Sequence, residues 1–272
     1  MTDLLLAGWR VRLHCAPDAL AEAAAARYAA FAVPEDGPAD LTIQAAVRPG
    51  PWHGAPAASL LAAALEPDAR GYRLAVAEAT ARLQLEEGLA DLTLTAGDPL
   101  VSLEYFLRIA CALLAFRDGG LLLHAAGLLV AGQVHLFVGV SGSGKSTVTA
   151  LSPQATALSD DLVLLRPMNG RWMAYGTPFW NPETAARGWQ SAGGPVAGIY
   201  KLVKSPEVRM EPLSAASAAA EVAANCPVVN GRPELLSELL LRCRALVGAV
   251  PAQRLYFRKD AGFWELIERG AS

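Results

Sequence analysis

Gly139-Val140-Ser141-Gly142-Ser143-Gly144-Lys145-Ser146 fits G-x-x-x-x-G-K-[ST] at every fixed position. Glycines at 139, 142 and 144 let backbone N–H groups converge on phosphate oxygens with no Cβ in the way. A helix start that follows adds its positive dipole end. Lys145 is placed to reach the β- and γ-phosphates of a nucleotide, and the Ser146 hydroxyl to ligate Mg²⁺. Ser141, Ser143 and Thr147 complete the nucleotide-binding set. The context agrees: Val134 to Val138 is an apolar run of strand length, and Ser146 to Leu151 can open a helix. The alternative is a glycine-rich turn beside a surface lysine. Lysine is scarce, at 145, 201, 204 and 259 only, which makes the match specific. The Cβ of Lys145 is expected to face the surface.

A carboxylate pair follows. Asp160 comes 15 residues after Lys145, in Leu158-Ser159-Asp160-Asp161, and the apolar run Leu162-Val163-Leu164-Leu165 comes next. One carboxylate can hold Mg²⁺ while the other accepts the proton of an acceptor hydroxyl; a polar turn between strands is the alternative. No L-S-G-G-Q segment and no [NT]-K-x-D is present, which sets aside ABC-type ATPases and guanine-reading GTPases.

Composition narrows the class further. The 272 residues are 53% hydrophobic and 18% charged, so the chain is not disordered. A charge of −3, from 23 basic and 26 acidic residues without a like-charge run, argues against nucleic acid as partner. The apolar stretches Ile109–Phe116 and Leu121–Ala131 fall short of the roughly 20 residues a spanning helix needs, so no membrane is expected. Cys15, Cys111, Cys226 and Cys243 form no C-x-x-C pair, and no signal peptide precedes them. They read as reduced core residues of a cytoplasmic protein.

The first 97 residues alternate in a strand-like way. Trp9, Val11 and Leu13 face one side while Arg10, Arg12 and His14 face the other, on a polar face. Leu41/Ile43, Leu74/Val76, Leu83/Leu85 and Leu92/Leu94 repeat the pattern. Asp18 to Phe31 looks helical, and Gly88 marks a turn. The strands are expected to be antiparallel, since they follow one another without helical crossovers. Asp98-Pro99 opens a helix as N-cap and N1, with Leu103, Phe106, Leu107, Ala110, Cys111 and Leu114 on one stripe. Gly119-Gly120 ends it, and the domain boundary is placed there, giving 1–118 and 119–272. A further helix is predicted from Pro233, burying Leu235, Leu236, Leu239, Leu240, Cys243, Leu246 and Val247, with Gly248 as terminator. Leu128-Leu129-Val130, Ala131-Gly132 and Gln133–Val138 read as a hairpin feeding the glycine-rich loop.

With these segments in order, residues 119–185 resemble the HPr kinase/phosphorylase family. In that family a histidine-bearing segment, a hairpin, a Walker A loop and an Asp-Asp pair follow one another. Here they are Leu121-Leu122-Leu123-His124-Ala125-Ala126-Gly127, the hairpin, Gly139–Ser146 and Asp160-Asp161. The likeness continues weakly through Gly176-Thr177-Pro178-Phe179 and Arg254-Leu255-Tyr256-Phe257-Arg258 to Phe263-Trp264-Glu265-Leu266. The HPr kinase-related proteins of peptide-modification pathways have a similar short architecture. The resemblance implies an α/β chain, a P-loop domain of phosphoenolpyruvate carboxykinase-like fold preceded by a smaller α+β domain. It also raises His124 from a core histidine to a candidate catalytic residue. Two departures bear on phosphorolysis and on HPr as acceptor. The histidine is followed by alanine in place of glycine, and Glu-Ile-Arg-Gly has only Glu183 and Arg187-Gly188 near its place.

Arg254 and Arg258 are expected to share one strand face and to stabilise transferring charge, with salt bridges at a sheet edge as the alternative. His14, His53 and His135 have no such support, and Trp172, Trp180, Trp189 and Trp264 are core or substrate-wall residues. The expected function is an ATP- and Mg²⁺-dependent kinase acting on a hydroxyl, a serine of a peptide or protein. The preferred roles are Asp160 as base and Asp161, with Ser146, as metal ligand. The first domain is expected to recognise the acceptor, and a homo-oligomer stays open. The rivals are a nucleotide-dependent binding module with little or no catalysis and a small-molecule kinase.

Overall fold

The computed structural model describes residues 1–48, 64–76, 78–95, 97–179 and 191–270. It is a mixed α/β structure of two units, Met1–Asp118 and Gly119–Ser272, each with its own large sheet.

In the first unit, β1 (Thr2–Leu6), β2 (Trp9–Ala16), β3 (Ala32–Val33), β4 (Leu41–Val47), β5 (Ala64–Asp68), β6 (Gly71–Val76), β7 (Ala79–Gln84) and β8 (Leu89–Leu94) form one sheet in the order β3-β1-β2-β4-β8-β7-β6-β5. The period-two residues Trp9, Val11, Leu13, Leu41 and Ile43 are buried, as the alternation predicts. The sheet is mixed, however, and not antiparallel throughout: β2 pairs β4 in parallel, and β4 pairs β8 in parallel. Helix α1 (Asp18–Arg27) supplies the crossover between β2 and β4 that a parallel pair requires. After β4 the chain passes through β5, β6 and β7, then returns as β8 beside β4.

Helix α2 (Pro99–Arg117) starts where the capping signal put it. Asp98 Oδ1 accepts from the N–H of Leu100 at 2.9 Å and of Val101 at 3.4 Å. All six predicted stripe residues are buried. At 19 residues it is long and apolar enough to cross a membrane by length and composition, which the shorter segments read from sequence did not anticipate. Within its unit it packs as a core helix, and its Glu104 is bonded by Arg27 and Arg108.

Arg10 and Arg12 are not free surface cations. Both point at Asp3, whose side chain is wholly buried: Arg10 Nη1 donates at 2.9 Å, Arg12 Nε at 2.8 Å and Arg12 Nη2 at 2.7 Å. The two guanidiniums hold the Asp3 carboxyl below its usual pKa, Arg12 most of all. Arg12→Glu should therefore lower the melting temperature clearly, because it leaves a buried carboxylate facing another. A thermal melt unchanged from wild type would show that the pair is dispensable.

The second unit contains β9 (Leu121–Val130), β10 (Gln133–Val138), α3 (Lys145–Ala150), β11 (Thr156–Ser159), β12 (Leu162–Met168), β13 (Arg171–Tyr175), β14 (Gly193–Lys204), β15 (Arg209–Pro212), α4 (Ala215–Ala224), α5 (Leu236–Ala249), β16 (Ala252–Phe257) and α6 (Phe263–Gly270). The strand order is β10-β9-β12-β13-β14-β16-β15, and β11 pairs β9. Strand β14 pairs β13 at its start and β10 and β16, both in parallel, farther on, so five strands close into a ring. Ala131 (φ 48°) and Gly132 (φ 78°) make the two-residue turn between β9 and β10, as expected for a hairpin whose turn needs positive φ at both positions.

Two expectations for α5 fail. Pro233–Leu235 forms a separate 3-10 turn before the helix, and Gly248 lies inside the helix, which ends at Ala249. Only Leu239, Cys243 and Leu246 are buried on it, while Leu236, Leu240 and Leu241 are 42%, 41% and 59% exposed. Its neighbours α4 and β13 cover a narrower strip than the apolar spacing offers. All four cysteines are free thiols, three of them buried and Cys15 half-buried.

Candidate functional site

Strand β10 is buried from Val134 to Val138, and the chain leaves it at Gly139. The loop that follows uses glycine where only glycine fits. Gly144 has φ +112°, and a Cβ there would meet the Phe257 ring at 2.5 Å. Gly139 has φ +151°, and a Cβ there would meet Ser143 Oγ at 2.7 Å. Ser143 N–H donates to the Val140 carbonyl at 3.0 Å and tightens the turn. Ser141, Gly142 and Ser146 are exposed, while Thr147 is half-buried at the start of α3.

Lys145 contradicts the expectation of a surface-facing side chain. It is 7% exposed, and its Nζ donates to the Gly139 carbonyl at 2.7 Å and the Val140 carbonyl at 3.4 Å. The reason is the packing of α3. Val148 and Thr149 lie buried, and from the first helical position the lysine runs back to the loop's own carbonyls. Burial pushes its ammonium below the usual pKa, against the opposing pull of Asp161 and Asp160.

Asp160 and Asp161 occupy the short turn between β11 and β12. Ser159 builds that turn. Its Oγ accepts from Asp161 N–H at 3.1 Å and Leu162 N–H at 3.0 Å, and donates to the Phe179 carbonyl at 3.1 Å. Thr177 Oγ1 donates to the Leu162 carbonyl at 2.6 Å. The two aspartates differ sharply. Asp161 is part-exposed, and its Oδ1 lies 3.4 Å from His124 Nε2. Asp160 is 5% exposed, and neither of its carboxylate oxygens has a hydrogen-bond partner among the described residues. A buried carboxylate without a partner costs several kcal/mol unless a cation meets it. Asp160, Asp161 and Ser146 offer only oxygen donors, the kind that suits a hard divalent cation such as Mg²⁺. Among the described residues no group of three or more His, Cys, Asp or Glu side chains gathers as a metal site.

The arginines separate. Strand β16 ends at Phe257, so Arg258 lies beyond it and does not share the strand face with Arg254. Arg258 is exposed and pairs with Asp260, which also accepts from Gly262 N–H in the turn before α6. Arg254 Nη1 lies 3.7 Å from Glu211 on β15 and 3.4 Å from the Tyr256 hydroxyl. Arg258 directly follows Phe257, whose ring abuts Gly144. His135 is buried against Tyr200 and Trp264, where burial lowers its pKa. Trp172 and Trp264 are core residues at 8% and 6% exposure. His53, Trp180, Trp189, Glu183 and Arg187-Gly188 lie outside the described residues.

Ser159 and Thr177 lie in segments noted for the Asp-Asp pair and for the family likeness, without a supporting role read for either. Each is a small hydroxyl in a short turn, and only its bond partners reveal its work.

No protein-family model matches the chain, and no curated protein matches it. Among solved structures, the HPr(Ser) kinase/phosphatase from Coxiella burnetii aligns with a TM-score of 0.31 at 16% sequence identity, over 54% of this chain and 86% of that one. A TM-score of that size does not make the two folds the same, so the site's own residues carry the functional reading.

Proposed function

We propose that the chain is a kinase that uses ATP and Mg²⁺ to phosphorylate a hydroxyl, a serine of a peptide or protein. The observation that carries this is the pairing of a complete G-x-x-x-x-G-K-[ST] loop with two adjacent carboxylates in unlike environments, one beside His124 and one buried. Loop N–H groups and Lys145 bind the β- and γ-phosphates. Ser146 and Asp160 hold Mg²⁺, Asp160 because its buried oxygens have no other partner among the described residues. The cation, when bound, neutralises charge developing on the phosphoryl oxygens. Asp161, part-exposed and beside His124, accepts the proton of the acceptor hydroxyl, and His124 orients its carboxylate. These roles reverse the order of the two aspartates preferred from sequence. Arg258 is assigned to the nucleotide as an exposed cation that follows Phe257, whose ring packs at Gly144.

Loop, lysine and carboxylates are generic to phosphoryl transfer, so acceptor choice must come from other surfaces. We assign that choice to the Met1–Asp118 unit. The test is to incubate the full chain with Mg-ATP and the products of neighbouring genes, then read intact masses. Addition of one phosphoryl group to a peptide or protein is the expected result. Nucleotide-dependent capture of a partner without transfer would replace the kinase with a binding module.

A further inference from the structure

Strand β10 leaves the sheet after Val138, its last residue in register with β9, opposite Ala125. The next ladder position on β9 is the N–H of His124, which the departing loop can no longer pair. That N–H donates instead to the main-chain carbonyl of Asn225 at 2.7 Å, the residue that caps the C-terminus of α4. On the other side of β9, Ala125 N–H donates to the Asp161 carbonyl at 3.0 Å, and Leu162 stands in register with His124. The backbone that carries His124 and Asp161 is thus held from both sides, by β12 and by a helix end. Carbonyls in the last turn of a helix lack intrahelical partners and carry the negative end of its dipole, so they suit a stranded N–H.

Asn225 is itself braced. It is 9% exposed, and its Nδ2 donates to the Glu221 carbonyl at 2.9 Å and reaches Glu221 Oε1 at 3.4 Å. The other Glu221 oxygen accepts from Lys201 Nζ. Lys201 stands on β14 in register with Val138, the residue from which the loop departs. Cys226 follows, fully buried, as is Cys243 of α5. Two chain-scarce features, one of four lysines and a buried asparagine, therefore meet at one helix end.

We propose that Asn225 is a positioning residue for the His124–Asp161 pair, with Glu221 and Lys201 as its brace; this rests on the kinase reading of the site. At a separation of 3.4 Å, a small drift of β9 at His124 would part the imidazole from the carboxylate. Misplacement of about 1 Å is enough to cost roughly 100-fold in rate.

The test uses the full chain and two readouts. Asn225→Ala removes the side-chain anchor. It should speed exchange of the His124 amide hydrogen about fivefold or more, as for the loss of one ordinary hydrogen bond. It should also lower kcat roughly 10- to 100-fold while leaving KM for nucleotide in place. In a His124→Ala background the same substitution should cost little further, because the two act as one unit. A His124 amide that exchanges at the wild-type rate overturns the proposal. So does an equal loss of kcat in both backgrounds, which marks a merely structural role. If Asn225→Ala does not fold, Lys201→Met, at a side chain 36% exposed, is read by the same criteria, and Lys201→Arg should restore wild-type behaviour. The exchange readout needs no acceptor. Absence of phosphoryl transfer would therefore sink the kinase reading while the bond between His124 and α4 is still judged by exchange.

Discussion

Lys145→Ala is expected to abolish nucleotide-dependent phosphoryl transfer, with a loss of at least about 10²–10³-fold, the scale of removing one charge-stabilising donor from a preorganised site. The buried geometry adds a second effect. Lys145 Nζ ties the Gly139 and Val140 carbonyls, so alanine also frees the loop from itself. That loosening should cost about 1 kcal/mol, one net hydrogen bond. The variant should keep its fold, melt slightly earlier and bind nucleotide weakly by calorimetry. Turnover at the wild-type rate would remove the phosphate-site assignment, since no other lysine lies in the loop.

Both aspartate variants should lose transfer, with different signatures. Asp161→Asn removes the proposed base, and transfer should fall about 10²–10⁴-fold with no rescue by metal identity or concentration. Asp160→Asn should also lose transfer, and its signature lies in stability. In the metal-free chain Asp160 buries a carboxylate whose oxygens have no partner among the described residues, so neutralising it should raise the melting temperature. The stabilisation that Mg²⁺ gives the wild type should vanish in the same variant, since a ligand stabilises only the fold that binds it. Equal melting temperatures with and without Mg²⁺ in the wild type, or a lower one in metal-free Asp160→Asn, would deny Asp160 the metal. Wild-type rates from both variants would leave the pair as a polar turn.

Local signals in the sequence were enough for much of the second unit. Ala131-Gly132 specifies its hairpin through two positive-φ positions, and Gly139–Ser146 forms its loop where strand gives way to helix. Asp98-Pro99 caps α2 at the residue expected, because an N-cap bond reaches only two or three residues along the chain. Alternation in β2 and β4 likewise marks their buried faces. All of these depend on neighbours close in sequence.

Tertiary structure decided whatever depends on distant partners. Parallel pairing of β2, β4 and β8 follows from a crossover and an excursion, neither of which leaves a mark on alternation. The stripe on α5 is as apolar as that on a buried helix, yet only three of its residues find cover. Arg10 and Arg12 read as a polar face until Asp3 turns out to be buried beneath them. The Cβ of Lys145 is expected at the surface from sequence, and its neighbours' packing turns the side chain inward. At the site, the sequence by itself determined which chemistry is on hand: a loop lysine, a hydroxyl, two adjacent carboxylates and a histidine. Only the tertiary structure distinguished one carboxylate beside His124 from another with no partner, and brought the end of α4 to the His124 N–H. A residue type is written in the chain, but burial and the partner of a backbone N–H are set by elements folded back from a hundred residues away, such as Asn225 against His124.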